Sequence, residues 1–160
     1  MIDGLPRGLA VVAAIGAGLS AGVFFTFSTF VMRALTRMPD TKGMVAMQAI
    51  NREAPTAPFM SVFLGTGAVS VTTTIVAIAE WSDPWAPYLL VGSALYLAAI
   101  VLTVAYHVPR NDALDHIDAA APEAEASWRH YASVWIAGNH VRTLLCAASA
   151  LAFVLALGNT

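Results

Sequence analysis

Charged side chains are scarce in this 160-residue chain, making up 11% of its sequence. Soluble globular domains carry roughly 25% charged residues. Four long stretches contain no charged residue at all: 8–32, 54–79, 84–109 and 143–160. A membrane-spanning helix needs about 20 mostly apolar residues, so these four stretches predict a small polytopic membrane protein. They exclude a soluble enzyme and a disordered chain.

Cysteine and positive charge are also scarce. Cys146 is the only cysteine, which excludes an internal disulfide and a Cys-x-x-Cys redox centre. The formal net charge is −2, so the sequence lacks the excess of basic residues that a nucleic-acid-binding protein carries. We therefore expect this chain to interact with the lipid bilayer and not with nucleic acid.

The apolar stretches predict four spans, at about 8–32, 59–79, 85–106 and 138–157. Backbone groups in hydrocarbon need internal hydrogen bonds, and no strand pattern is visible, so each span should be a helix. Pro109 disfavours helix at Val108, which predicts that the third helix ends there. Apolar residues at helical spacing in 41–53 predict a short amphipathic helix. The predicted fold is all-α, a single four-helix transmembrane bundle over 1–160 with that short helix between helices 1 and 2.

Basic residues predict the orientation of the bundle. The two long connections contain six of them: Arg33, Arg37, Lys42, Arg52, Arg110 and Arg129. The opposite side has only Arg7. Since basic residues favour the cytoplasmic side, both termini should be extracytoplasmic in a multi-pass plasma-membrane protein. We expect the first apolar stretch to be a span rather than a cleaved signal peptide. The acidic residues of 112–125 are interpreted as a solvated cytoplasmic loop.

The fourth span has a stripe of aromatic and polar residues on one helical face. Its members are Trp128, Tyr131, Trp135, Asn139, Arg142, Cys146 and Ser149. Arg142 lies about one turn inside the predicted hydrocarbon region, where an arginine costs roughly 2.5–3.5 kcal/mol, so it should face the bundle interior. No carboxylate lies at that depth in the other spans, which favours a bound ligand or a loop carboxylate as its partner. The alternative is a shorter span, 143–159, with Arg142 reaching the surface.

Polar and aromatic residues of two other spans are predicted at the same depth. Phe24 belongs to the first span, and His107 and Asn111 follow the third, with 41–53 above them as a lid. The four histidines have no metal-ligand spacing, so no metal site is predicted. Gly18-x-x-x-Gly22 predicts close helix packing, either inside one bundle or between subunits of a homo-oligomer.

Four segments resemble the anthrone oxygenase-like family, also called domain of unknown function 1772. They read GVFFTFSTFVMRALTRMP (22–39), MQAINREAPTAPFM (47–60), YHVPRNDAL (106–114) and WRHYASVWIAGNHVRTL (128–144). The resemblance extends from about 19 to 152 and implies a four-helix membrane bundle. The positions that match the family pattern are Pro109, Asn111, Trp128, Trp135, Asn139 and Arg142.

The resemblance implies oxidation of an anthrone to an anthraquinone by O2, with no cofactor predicted. The C–H bond of an anthrone is acidic, and its delocalised carbanion can reduce O2 directly. Such a site needs a base, a cation near the developing oxyanion, orienting amides and aromatic walls. Accordingly, His107 or His130 is the expected base, Arg142 the anion stabiliser, and Asn139 and Asn111 the orienting amides. The apolar ligand should also contact the aromatic residues Phe24, Trp128, Tyr131 and Trp135.

Two further interpretations stay open at the level of sequence. In the first, the stripe binds a lipid, a quinone or a partner subunit, and the protein is not an enzyme. In the second, the protein is a haem or metal redox protein that uses His107 with His130 or His140. A small transporter is disfavoured because no span is interrupted by proline in its middle.

Overall fold

A computed structural model of the protein describes residues 2–39 and 41–159. They form an all-α bundle with five helices: α1 (Gly4–Leu35), α2 (Lys42–Glu53), α3 (Ala57–Ala79), α4 (Ala86–Asp115) and α5 (Ala124–Gly158). Four of them, all except α2, are long and apolar enough to cross a membrane. The predicted fold class is thereby confirmed, and α2 lies where the sequence predicts the amphipathic helix.

Helix α5 packs against both α1 and α4, and α3 packs against the same two helices. Small residues bring α1 and α3 together, because a side chain at Gly16 would collide with Thr66. In contrast, nothing lies within 4 Å of a side chain added at Gly18 or Gly22. These two glycines therefore do not pack inside the bundle, and of the two alternatives, packing between subunits stays a prediction.

Helix α4 continues beyond Pro109 to Asp115, so the predicted end of the third helix is wrong. Thr103–His107 form a π-helical turn just before this proline. Proline has no N–H group, and its ring crowds the carbonyl group four residues earlier, so a wider turn lets the helix pass it. A second π-helical turn, Phe27–Val31, interrupts α1.

Helix α2 covers one end of the bundle, which we call the polar end. The Gln48 amide nitrogen donates to the carbonyl oxygens of Leu114 and Ile117, at 2.9 and 3.0 Å. The backbone of Gly43 lies so close to the Leu35 carbonyl that no side chain fits between them. The polar end also contains the last turns of α4 and the first turns of α5. Apolar side chains cover the outer faces of the long helices, as expected for contact with lipid.

Candidate functional site

A cavity of about 580 Å³ lies at the polar end of the bundle, beneath α2. Aromatic and aliphatic side chains form one part of its wall: Val23, Phe24, Phe27, Phe59, Met60, Phe63 and Trp135. Polar side chains form the other part: Asn51, Glu53, Thr103, Asn111, Asp112, Asp115 and Arg142. A mostly apolar cavity with a few polar groups is typical of small-molecule sites.

The Arg142 side chain lies inside the bundle and is only 5% exposed. Its Nη2 donates to Asn139 Oδ1 at 2.8 Å, and its Nη1 donates to Thr103 Oγ1 at 3.4 Å. The guanidinium carbon lies 4.3 Å from the ring centre of Phe24 and 5.3 Å from that of Trp135. Cation–π contacts of this kind stabilise a buried cation. The interior position predicted for Arg142 is confirmed, and the surface alternative is wrong.

No carboxylate neutralises Arg142 in the part of the chain that the structure describes. The two ion pairs found there join Arg52 to Asp115 and Arg129 to Glu125. The Arg142 Nε atom is buried and has no hydrogen-bond partner among the described residues. The cavity wall therefore contains a positive charge without a carboxylate partner. Such a charge is suited to an anionic or strongly polarised oxygen.

Asn139 holds Arg142 in place rather than contacting the cavity. Its Nδ2 donates to the Phe24 carbonyl oxygen at 2.7 Å and to Ser28 Oγ at 2.8 Å, while its Oδ1 accepts from Arg142. The side chain is fully buried and does not line the cavity. Asn139 thus positions Arg142, and its role as an orienting amide for the substrate stays a prediction. Its Phe24 partner lies one turn before the π-helical turn of α1, a feature that often marks functional sites.

Asn111 is fixed by two aromatic side chains of α5. Its Oδ1 accepts hydrogen bonds from Tyr131 Oη and Trp135 Nε1, both at 2.9 Å. An indole N–H can only donate, so this pair settles which atom of the amide is oxygen. Asn111 lines the cavity, and its N–H groups are the ones left for a ligand. Tyr131 itself does not line the cavity and acts through Asn111.

Besides Asn139 and Tyr131, three more of the residues predicted for the site do not line the cavity. His107 is 1% exposed and packs edge-on against Trp135, with ring centres 5.1 Å apart. Trp128 stacks on Tyr131 at 5.8 Å, beneath α2. His130 is exposed, because it lies about 100° around the helix from the stripe. The structure therefore does not bring His130 and Trp128 to the cavity wall, and their roles as a base and as a ligand contact stay predictions.

A sequence profile of the anthrone oxygenase family matches residues 54–152. The chain belongs to this family. The match includes Asn111, Trp135 and Arg142, whereas α1 lies outside it. Neither a curated protein nor a solved structure matches the chain.

In this anthrone oxygenase family member, several cavity residues escaped the sequence analysis. Asp112 and Asp115 line the cavity, although the acidic run was expected to be a solvated loop. Asn111 and Asp115 lie four residues apart on α4 and therefore share a helical face. This shared face was not predicted because the helix was expected to end before Asn111. Thr103 was missed because threonine is common in membrane helices without any contact to a ligand.

The histidines offer little to a metal or a haem. The described residues contain no group of three or more His, Cys, Asp or Glu side chains that could hold a metal ion. His116, His130 and His140 are exposed. His107 is buried, and neither of its ring nitrogens has a hydrogen-bond partner among the described residues. A haem ligand on the interior side of the bundle would have to be His107.

Proposed function

We propose that this protein is a membrane-embedded oxygenase that oxidises a flat, apolar, anthrone- or quinol-like substrate with O2, without a bound cofactor. The supporting observation is the cationic Arg142 side chain, buried without a carboxylate partner, in the wall of an aromatic cavity. Membership of the anthrone oxygenase family points to the same class of reaction.

In this proposal the substrate lies with its carbonyl oxygen toward Arg142. Phe24 and Trp135 already flank the guanidinium and would contact the substrate rings. The Asn111 amide, held by Tyr131 and Trp135, donates to a substrate oxygen. Donors fixed in advance stabilise the charge that develops on the oxygen, and they are strongest where water is excluded.

The chemistry needs only the substrate and O2. Loss of a C–H proton leaves an electron pair spread over the rings and the carbonyl oxygen beside Arg142. This anion passes one electron to O2, and the two radicals combine to form the C–O bond of a hydroperoxide. Loss of water then gives the second carbonyl group, so that CH2 and O2 become C=O and H2O. A carboxylate at the polar end of the cavity, Glu53, Asp112 or Asp115, accepts this proton and returns it to the peroxide oxygen, since His107 does not line the cavity.

Oxygen consumption by the purified protein tests this proposal. In mild detergent with a panel of anthrones and hydroquinones, the wild type should consume O2. Arg142→Leu should lower kcat/KM by about 10²-fold or more, the typical cost of removing an oxyanion donor. Arg129→Leu is the matched control, since Arg129 is an exposed arginine of the same helix. Wild-type turnover by Arg142→Leu would remove the proposed role of Arg142.

Two other results would redirect the assignment. A visible spectrum with a haem band, or a stoichiometric metal in elemental analysis, would identify a redox protein with His107 as a candidate ligand. Ligand binding without O2 consumption for every member of the panel would identify a non-enzymatic binding protein.

A further inference from the structure

The polar end of the cavity contains two buried atoms that form no hydrogen bond in the part of the chain that the structure describes. They are Asn51 Nδ2, a donor, and Asp115 Oδ1, an acceptor. Both residues line the same cavity as Arg142. Buried polar atoms are rarely left unpaired in native proteins, so a ligand group is the natural partner for this donor and acceptor.

The fold brings these two residues together from different helices. Asn51 lies in the last turn of α2, and Asp115 is the last residue of α4. Gln48 of α2 holds the Leu114 carbonyl, next to Asp115, and so fixes one helix against the other. Arg52 Nη1 approaches Asp115 Oδ1 only to 3.9 Å, which is too far for a hydrogen bond, and its side chain is 58% exposed. The acceptor capacity of Oδ1 therefore stays free.

We infer that Asn51 and Asp115 form a second polar subsite, which binds a hydroxyl group of the ligand. A hydroxyl group can accept from the Asn51 amide and donate to the Asp115 carboxylate at the same time. A carbonyl or ether oxygen would satisfy Asn51 alone and face the negative charge of Asp115. The inference takes from the proposed function only that the ligand has an aromatic body. Binding at the subsite requires no turnover.

The subsite lies at a distance from Arg142. Thr103 contacts Arg142, and Asp115 follows twelve residues later on α4. At 1.5 Å per residue, this corresponds to at most about 18 Å along the helix. Arg142 and Asp115 thus lie at different positions in the cavity wall. This arrangement suits an aromatic ligand that has a carbonyl oxygen on one ring and a phenolic hydroxyl on another.

Two matched probes test the subsite without any oxidation: 2-hydroxyanthraquinone and its methyl ether. Equilibrium binding is measured on the whole protein in detergent, with protein-free micelles as the background for partition into detergent. The wild type should bind the hydroxyl probe about 10-fold more tightly, because the ether cannot donate to Asp115.

The variants should differ in their relative affinities for the two probes. Asp115→Leu should abolish the preference for the hydroxyl probe. Asn51→Leu should lower the affinity for both probes by a similar factor, since the hydroxyl oxygen and the ether oxygen can each accept from the Asn51 amide. Asp3→Leu is the control, because this exposed carboxylate at the start of α1 makes no capping hydrogen bond. Gel filtration and thermal unfolding establish that each variant is folded.

Equal affinity for the two probes in the wild type, binding of neither probe, or a hydroxyl preference that survives in Asp115→Leu overturns the subsite. These outcomes are independent of the oxygenase assignment. A wild type that prefers the hydroxyl probe but consumes no O2 with any anthrone would retain the subsite and lose the proposed function. Oxygen consumption without a hydroxyl preference would do the reverse.

Discussion

At the scale of single residues, the position and the charge of the Arg142 guanidinium depend on the amide side chain of Asn139. Asn139 fixes the guanidinium of Arg142 through its Oδ1 and anchors itself to Phe24 and Ser28 through its Nδ2. A carboxylate there would also accept from the guanidinium, but it would neutralise the charge and could not donate to the Phe24 carbonyl oxygen. The amide gives Arg142 a fixed position while leaving its positive charge for a ligand.

Replacing this amide by a carboxylate should therefore weaken binding without removing the arginine. We expect Asn139→Asp to lower the affinity for 2-hydroxyanthraquinone by about 10-fold or more, the equivalent of one charge-assisted hydrogen bond. Asn159→Asp, the same change at the exposed end of α5, should leave the affinity unchanged. The measurement is equilibrium binding in detergent. Wild-type affinity in Asn139→Asp would mean that the charge of Arg142 does not hold the ligand.

For His107, in contrast to Asn139, we expect a substitution to have little effect on function. Its ring packs against Trp135 and Tyr106, outside the cavity wall, so its contribution should be to packing. We expect His107→Gln to retain kcat/KM within about 10-fold, whereas loss of a general base typically costs 10²–10⁴-fold. The measurement is O2 consumption with the best substrate of the panel. A loss in the larger range, in a folded variant, would restore His107 as the base.

At the scale of elements, α2 is the piece that closes the cavity. It contributes Met47, Ile50 and Asn51 to the wall, and Gln48 fastens it to the end of α4. Its close approach to α1 depends on a glycine at position 43. The two π-helical turns lie in the helices that supply Phe24 and Thr103 to the surroundings of Arg142. The site is therefore built where regular helix geometry is interrupted.

Displacing α2 should affect stability and binding together. In Gly43→Ala the new methyl group meets the Leu35 carbonyl and the Trp128 ring, so we expect a lower Tm and weaker binding of 2-hydroxyanthraquinone. Gly18→Ala has open space and should have an unchanged or higher Tm, since alanine favours a helix over glycine by about 1 kcal/mol. The opposite order of Tm values would contradict the close approach of α2 to α1.

At the scale of the whole molecule, the four long helices place both long connections at the polar end. The basic residues of these connections predict that the polar end faces the cytoplasm. The carboxylates at the cavity mouth would then open toward cytoplasmic water. The aromatic wall would lie toward the hydrocarbon, from which an apolar substrate would come.

Cysteine labelling in intact cells can determine this orientation. Cys146, the only native cysteine, is buried and should give little background. Ser82→Cys lies in the exposed turn between α3 and α4, and Asp118→Cys lies in the exposed connection before α5. A membrane-impermeant maleimide should label Ser82→Cys in intact cells and Asp118→Cys only after lysis. The reverse pattern would invert the predicted topology.

Sequence by itself determined the four spans, the all-α fold, the amphipathic helix and the interior position of Arg142. Hydrocarbon leaves an apolar stretch no option except a helix, and helical periodicity then tells which residues share a face. The tertiary structure decided which groups meet. A π-helical turn shifts the phase of everything after it, so Asp115 at the cavity could not be read from a 3.6-residue period. The hydrogen bond from Asn139 to the Phe24 carbonyl joins two helices, and helical periodicity does not tell which helices pack together. His130 was assigned to the site from its residue type, although helical spacing already puts it about 100° from the stripe, and its side chain is exposed.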